Sequence, residues 1–427
     1  MLIEPPAGAR GVLVRGCPTA DRYPRHMAAI ALSTKSLRTG GGIAEDIRDR
    51  NLSSLLGWLH RDGKHTRAEL THLSGLNRST VGVVVRDLVA LGLVSEGSAV
   101  VNGAGRPSPI VVPDESTVAI AVNPEVDRLN VGLVGFNGTV LRQAHIPWDR
   151  RITVTDVVEM TRAVVMGMTS DRDKPWRILG VGIAVPGQVR LADGFVREAT
   201  HLGWSEEPLA AMMFAALGVP VYAANAAVLA LRAESAFGAG RDIEDVFYII
   251  GGASGIGGGA IMGGRLILGA QGNAGEVGHI FVADNGRRCH CGATGCLETE
   301  VSREELLAAL GLTDREAELL AERIRANSDP VVEALINRYR LSITRAVRTV
   351  VNLFNPSTIV FGGFLAPLTE GLLAEVAASA ISSSRQGLRV LAGSVDSALL
   401  LVGAAELVYA ELLASPASFV VAHTLRD

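Results

Sequence analysis

Gly275-Glu276-Val277-Gly278-His279 and, shortly after it, Cys289-His290-Cys291-Gly292-Ala293-Thr294-Gly295-Cys296-Leu297-Glu298 form the stretch from which the rest of the chain is best read. Thiolates from Cys289, Cys291 and Cys296 with the imidazole of His279 make the ligand set of a closed tetrahedral zinc site, and Gly292 and Gly295 let the loop fold around the ion. His290 is a second candidate nitrogen donor, but it is wedged between two ligands. Four protein ligands leave no open coordination position, so the expected zinc is structural. The alternative is a loop of free cysteines, and clustered thiols without metal would be open to oxidation. The remaining cysteine, Cys17, stands alone, so the cysteines do not read as a disulfide framework. Such clustering without an export signal points to a metal site in a reducing, cytoplasmic setting.

Outward from this loop, the chain of 427 residues has room for two or three domains. Nearly half its residues are apolar and 48 are glycine, a mixture suited to an α/β protein with tight strand-to-helix turns. Val118–Val122, Asn130–Val134 and Val140–Ile146 read as strands, the last after an Asn137-Gly138 turn. A helix over 153–168 leads to a buried strand, Ile178–Val185, ending at Pro186-Gly187. Strand Val246–Ile250, helical stretches over 303–325 and 330–351, and strand Thr358–Phe361 complete the alternation. Residues 114–427 are therefore expected to form a two-lobed α/β domain with glycine-rich turns lining a cleft. No apolar run is long enough to span a membrane without charge or glycine breaks. Residues 1–45 carry Pro, Gly and Arg without periodicity and are expected to be a disordered tail. Met1–Leu13 lacks the pattern of a signal peptide, and Met27 offers an alternative start.

Residues 46–113 read differently. Leu52, Leu55, Leu56 and Leu59 recur at helical spacing, and Thr66 with Glu69 makes a capping box for a second helix. Ser74-Gly75-Leu76 is a tight turn, and a third helix from Asn77 would bury Val81, Val84, Val85, Leu88 and Leu91. This order is that of a helix-turn-helix, with Asn77, Arg78, Ser79 and Thr80 turned toward a major groove. A hairpin of Val94–Glu96 and Ala99–Asn102 would form its wing. Gly105-Arg106-Pro107 would carry Arg106 to a minor groove, and Arg67 and Arg86 would hold phosphate. The net charge of −4 gives nucleic acid no support, but this segment is mildly basic inside an acidic chain. Gly82 within the third helix costs about 1 kcal/mol against alanine. A three-helix module that merely packs or binds protein is the competing reading.

From about residue 50 onward the chain resembles the ROK family of repressors and sugar kinases. The likeness rests on Glu276–His279 and Cys289–Glu298, and on Pro186-Gly187, Leu202-Gly203-Trp204, Gly255–Gly259, Asn355-Pro356 and Gly362-Gly363. It implies an actin-like, hexokinase-like fold, a homodimer or homotetramer, and sugar contacts at Asn225, Glu276, His279 and Glu298. The N-terminal module looks like that of the family's repressor branch. Where family kinases have an Asp-x-Gly-Gly-Thr turn for ATP phosphates, this chain has Asn123-Pro124-Glu125-Val126-Asp127. Glutamate stands at the first glycine and proline removes an N–H. Where they have a general-base Asp in Asn-Asp-x-Asn, it has Ala226, and such a base is commonly worth about 10²- to 10⁴-fold. No catalytic residue is therefore assigned. The reading is a repressor of carbohydrate-related genes that binds a palindromic DNA operator and senses a sugar or sugar phosphate. The alternatives are a regulator controlled by a protein partner without a small-molecule ligand, and an active ATP-dependent sugar kinase.

Overall fold

The structure, a computed structural model, describes residues 43–97, 108–170, 175–369, 371–394 and 398–424. Helix α1 (Ile43–Asp62) buries Leu52, Leu55, Leu56 and Leu59 on one face, as their spacing requires. It begins inside the stretch expected to be irregular, because Ile43–Ile47 contains no helix breaker. Residues 1–42, with Cys17 and Met27, lie outside the described residues. After the short strand β1 (His65–Thr66), Thr66 caps α2 (Arg67–Ser74): its Oγ1 accepts from the Glu69 N–H while the Glu69 carboxylate accepts from the Thr66 N–H. Gly75 ends α2 at φ +67°, a conformation costly to any residue with a Cβ. Asn77 then caps α3 (Arg78–Ala90), which buries Val81, Val84, Val85 and Leu88 against α1 and α2.

Strand β2 (Val94–Gly97) pairs antiparallel with β3 (Ile110–Pro113), and β3 also pairs with β1. The hairpin expected between 94–96 and 99–102 thus has a different strand beside Val94–Gly97. Ala99–Asn102 and Gly105-Arg106-Pro107 lie outside the described residues. The apolar core of these helices runs without a break into the α/β part, where Phe136 and Tyr409 belong to the same buried cluster.

The first lobe is a five-stranded sheet in the order β8-β7-β4-β5-β6, from β4 (Thr117–Pro124), β5 (Arg128–Gly135), β6 (Val140–Pro147), β7 (Arg177–Val185) and β8 (Val221–Asn225). β7 runs parallel to both β4 and β8, while β4, β5 and β6 form a meander. Helix α4 (Val154–Thr169) covers one face through Val154, Val157, Val158 and Val165. A small sheet of Gln188–Arg190, Phe195–Ala199 and Trp204–Glu207 extends from this lobe.

The second lobe has the order β11-β10-β9-β12-β13, from β9 (Val246–Gly252), β10 (Gly255–Met262), β11 (Arg265–Leu266), β12 (Thr358–Gly363) and β13 (Arg389–Ala392). Helix α5 (Ala226–Phe237) follows β8 directly and packs on β10, and α6 (Pro330–Phe354) fills the second lobe's core with Tyr339, Ile343 and Val347. Helix α7 (Leu399–Ala414) is buried nearly throughout. It lies so close to its neighbours that a Cβ at Gly182 would fall 1.8 Å from the Ala404 carbonyl oxygen. The glycine is what admits the helix there. Among the described residues no helix is long and apolar enough to cross a membrane.

Candidate functional site

A cleft of about 370 Å³ opens where the carboxyl ends of β7 and β8 face the turn between β9 and β10. Ligands of open α/β sheets collect at this end of the strands. Its walls include Asn225, Glu276, His279 and Glu298, the four residues expected to contact sugar. They are brought together by different elements. Asn225 ends β8, Glu276 precedes a short 3₁₀ turn, Val277–His279, and Glu298 lies in the single helical turn Leu297–Glu300. Asn225 is also occupied locally: its Oδ1 accepts from the N–H groups of Ala227 and Val228, and its Nδ2 donates to the Gly187 carbonyl. Ala226, next to it, lines the cleft with a methyl group.

Residues on these walls that were not singled out from the sequence include Glu198, His201 and Ser254. Ser254 matters most, because its hydroxyl donates to Glu125 Oε2 over 2.6 Å, joining the end of β4 to the β9–β10 turn of the other lobe. Glu125 is buried, and Asn123 Nδ2 reaches its other oxygen at 3.3 Å. Burial pushes its carboxyl above the usual carboxylate range, against the pull of those two hydrogen bonds. Glu125 was visible in the sequence where the family resemblance implied a phosphate-binding glycine, but no local signal could show that Ser254 would meet it.

Beside the cleft, one ligand atom from each of His279, Cys289, Cys291 and Cys296 lies within 4.8 Å of all the others. Cys291 Sγ is 3.7 Å from Cys296 Sγ, and His279 Nδ1 is 3.6 Å from Cys289 Sγ. A tetrahedral zinc with ordinary bond lengths would separate two sulfurs by about 3.8 Å and a sulfur and nitrogen by about 3.6 Å. The donor set and its spacing therefore fit such an ion. With Nδ1 on the metal side, the other ring nitrogen of His279 is left for the cleft it lines. His290 is turned toward Glu298, with Nδ1 3.0 Å from Oε1, and its ring packs on His201. A second grouping of His279, Cys289, His290 and Glu298 is equally compact, and in it Glu298 Oε1 meets both His290 Nδ1 and the Cys289 thiol, the latter at 3.1 Å.

On the N-terminal module, Arg78, Ser79, Val83 and Arg86 form the exposed face of α3. Arg78 and Arg86 make no ion pair with another described residue. Asn77 Oδ1 is held by the Thr80 N–H and the Ser79 hydroxyl, and Thr80 is half-buried. Arg67, expected on phosphate, is engaged differently: it grips Glu96 of β2 with Nε and Nη2, the latter at 2.6 Å. Its guanidinium also passes above Gly82, where a Cβ would lie 3.7 Å from Nη1. Arg106 lies outside the described residues.

Residues 119–411 match the ROK family. The xylose repressor of Bacillus subtilis (strain 168) is 26% identical over 322 residues, covering 74% of this chain and 82% of that protein. The DNA-binding transcriptional dual regulator NagC of Escherichia coli (strain K12) is 24% identical over 377 residues, covering 83% of this chain and 91% of that protein. A solved ROK family transcriptional regulator, a homolog of the E. coli MLC protein, superposes with a TM-score of 0.70 at 24% identity. The match covers 88% of this chain and 99% of that one, and it speaks to the fold.

Proposed function

The chain belongs to the ROK family, and from that premise we propose that it is a sugar-responsive, DNA-binding transcriptional repressor. In this reading residues 46–113 are a winged helix-turn-helix and residues 114–427 a kinase-like sensor without phosphoryl-transfer activity. The observation that carries it is α3, whose inner face is sealed in the three-helix core while Arg78, Ser79, Val83 and Arg86 face outward. A helix so mounted can enter a major groove, with Arg78 able to make two hydrogen bonds to a guanine edge and Arg86 to meet phosphate. Ser79 and the Asn77 Nδ2 are left for neighbouring bases, and Thr80 stands behind them. Arg67 braces α2 against β2, and Arg106 would serve the minor groove.

In the sensor, Glu276, His279 and Glu298 would hold ring hydroxyls by directed hydrogen bonds, with Asn225 shaping the wall that it caps. The xylose repressor and NagC relatives are named as regulators, which favours sensing over catalysis. Ala226 offers no atom to take a proton, and Glu125 fills the turn where family kinases hold phosphate. Zinc on His279, Cys289, Cys291 and Cys296 would be structural and would set the pose of the sugar-facing loop. The protein would act in the cytoplasm as a homodimer or homotetramer on a palindromic operator.

Selection of binding sites from a random duplex library, using the full-length protein, tests this reading. A two-fold symmetric site is expected. Arg78→Ala should lose about 1–3 kcal/mol on it and relax the preference at one base position in each half. Unchanged affinity and unchanged preference in that variant would remove α3 from the groove.

A further inference from the structure

We propose that the cleft selects an unphosphorylated sugar and rejects sugar phosphates and nucleotides, with Glu125 as the residue that shuts its phosphate end. The proposal rests on the sugar-sensing reading above and narrows the effector to one class.

The first ground is the charge of the walls. Glu198, Glu276 and Glu298 line the cleft, whereas no lysine or arginine among the described residues does. Phosphate esters are bound by arginine forks, lysine or clustered backbone N–H groups, and carboxylates repel them. With zinc bound, three thiolates and one neutral imidazole around the divalent ion would carry a net negative charge, so the neighbouring cluster would offer no relief. Neutral hydroxyls face no such penalty, since carboxylates accept hydrogen bonds from them.

The second ground is steric and independent of charge. Glu125 occupies the first glycine position of the expected phosphate turn, and its carboxyl reaches across to Ser254 at 2.6 Å. Ser254 belongs to the turn between β9 and β10, which with the end of β4 frames that side of the cleft. The carboxyl is fixed from behind as well. Asn123 reaches it with Nδ2 and is itself bonded to the Ala184 carbonyl and to Asn130. A side chain buried to 8% exposure and tied to both lobes is a wall of the cleft. It does not swing aside at little cost.

Calorimetry on the zinc-loaded, full-length protein separates the outcomes. The probes are D-xylose, D-glucose and N-acetyl-D-glucosamine, each with its terminal phosphate ester, and ADP. At least one free sugar is expected to bind, with its ester weaker by about tenfold or more and ADP undetected. Glu125→Gly should narrow that gap severalfold, whereas Glu125→Gln, which keeps the wall, should preserve it. An ester that binds as well as or better than its parent sugar would overturn the proposal and leave the sugar-sensing reading standing. A gap unchanged in Glu125→Gly would remove Glu125 from the role. Silence toward every free sugar and every ester would sink the sugar-sensing reading and this proposal with it.

Discussion

Glu125 stands at the end of β4 on the wall of the cleft, facing Ser254 of the other lobe. Its carboxyl is buried, bonded to Ser254 and Asn123, pushed upward by Asp127 and pulled down by Arg128. Burial outweighs the pull, so the folded protein holds a proton that the unfolded chain releases above about pH 4.3. In that window the native state binds more protons, and stability therefore falls as pH rises toward the folded value. Glu125→Gln cannot titrate. Thermal unfolding of both proteins between about pH 4 and pH 8 should show the variant gaining on the parent as pH rises. A constant difference across the range would mean that Glu125 does not carry this dependence. Other residues were legible only by type. Asn225 and Asn77 both end up as helix caps, and Arg67 closes on Glu96, because capping and ion pairing are settled by what lies opposite. Spacing along the chain does not report that.

At the level of elements, the metal loop contains little regular secondary structure. Between Val277 and Glu298 the described backbone has one 3₁₀ turn, the isolated bridges Phe281–Cys296 and Arg288–Thr294, and single cross-loop hydrogen bonds such as Val282 N–H to the Gly295 carbonyl. An ion binding such a loop supplies folding energy directly, about 10–16 kcal/mol in small zinc domains. Removing zinc with a chelator should therefore lower the melting temperature and abolish sugar binding, since His279 and Glu298 sit on this loop. Metal analysis should return about one zinc per chain before treatment. An equal melting temperature after verified removal would show that the loop stands without metal. The loop was readable in sequence because its ligands are close together, and so were α1 to α3, whose apolar periodicity and the Thr66–Glu69 cap are local signals. The partner of β2 was not. Ile110–Pro113 lies farther along the chain than the segment expected there, and it packs on α1 as well as pairing with β2.

Across the whole molecule, the cleft and the N-terminal module share two helices. α5 is capped by Asn225 on the cleft wall and ends at Phe237, whose ring lies 5.3 Å from that of His60 on α1. His60 Nε2 is 3.0 Å from Glu406 Oε1 on α7, and Arg232 of α5 donates to the Glu406 carbonyl. All three side chains are buried. Burial alone would raise the Glu406 carboxyl, yet His60 and Arg232 beside it hold it below the usual range, and α1 meets α5 and α7 at this junction. The two-lobed architecture was legible from strand–helix alternation and from the family's motifs. This junction was not, because His60 and Glu406 are joined only when the chain's two ends meet. A ligand that favours one arrangement of the lobes can bias α1 through α5 and α7, provided its affinity for the two arrangements differs. The direct measurement is fluorescence anisotropy of the selected operator, titrated with full-length protein with and without a saturating free sugar found by calorimetry. Sugar is expected to shift the operator affinity by about 5- to 150-fold. Superimposable curves in the presence of a sugar that demonstrably binds would contradict a sugar-controlled switch.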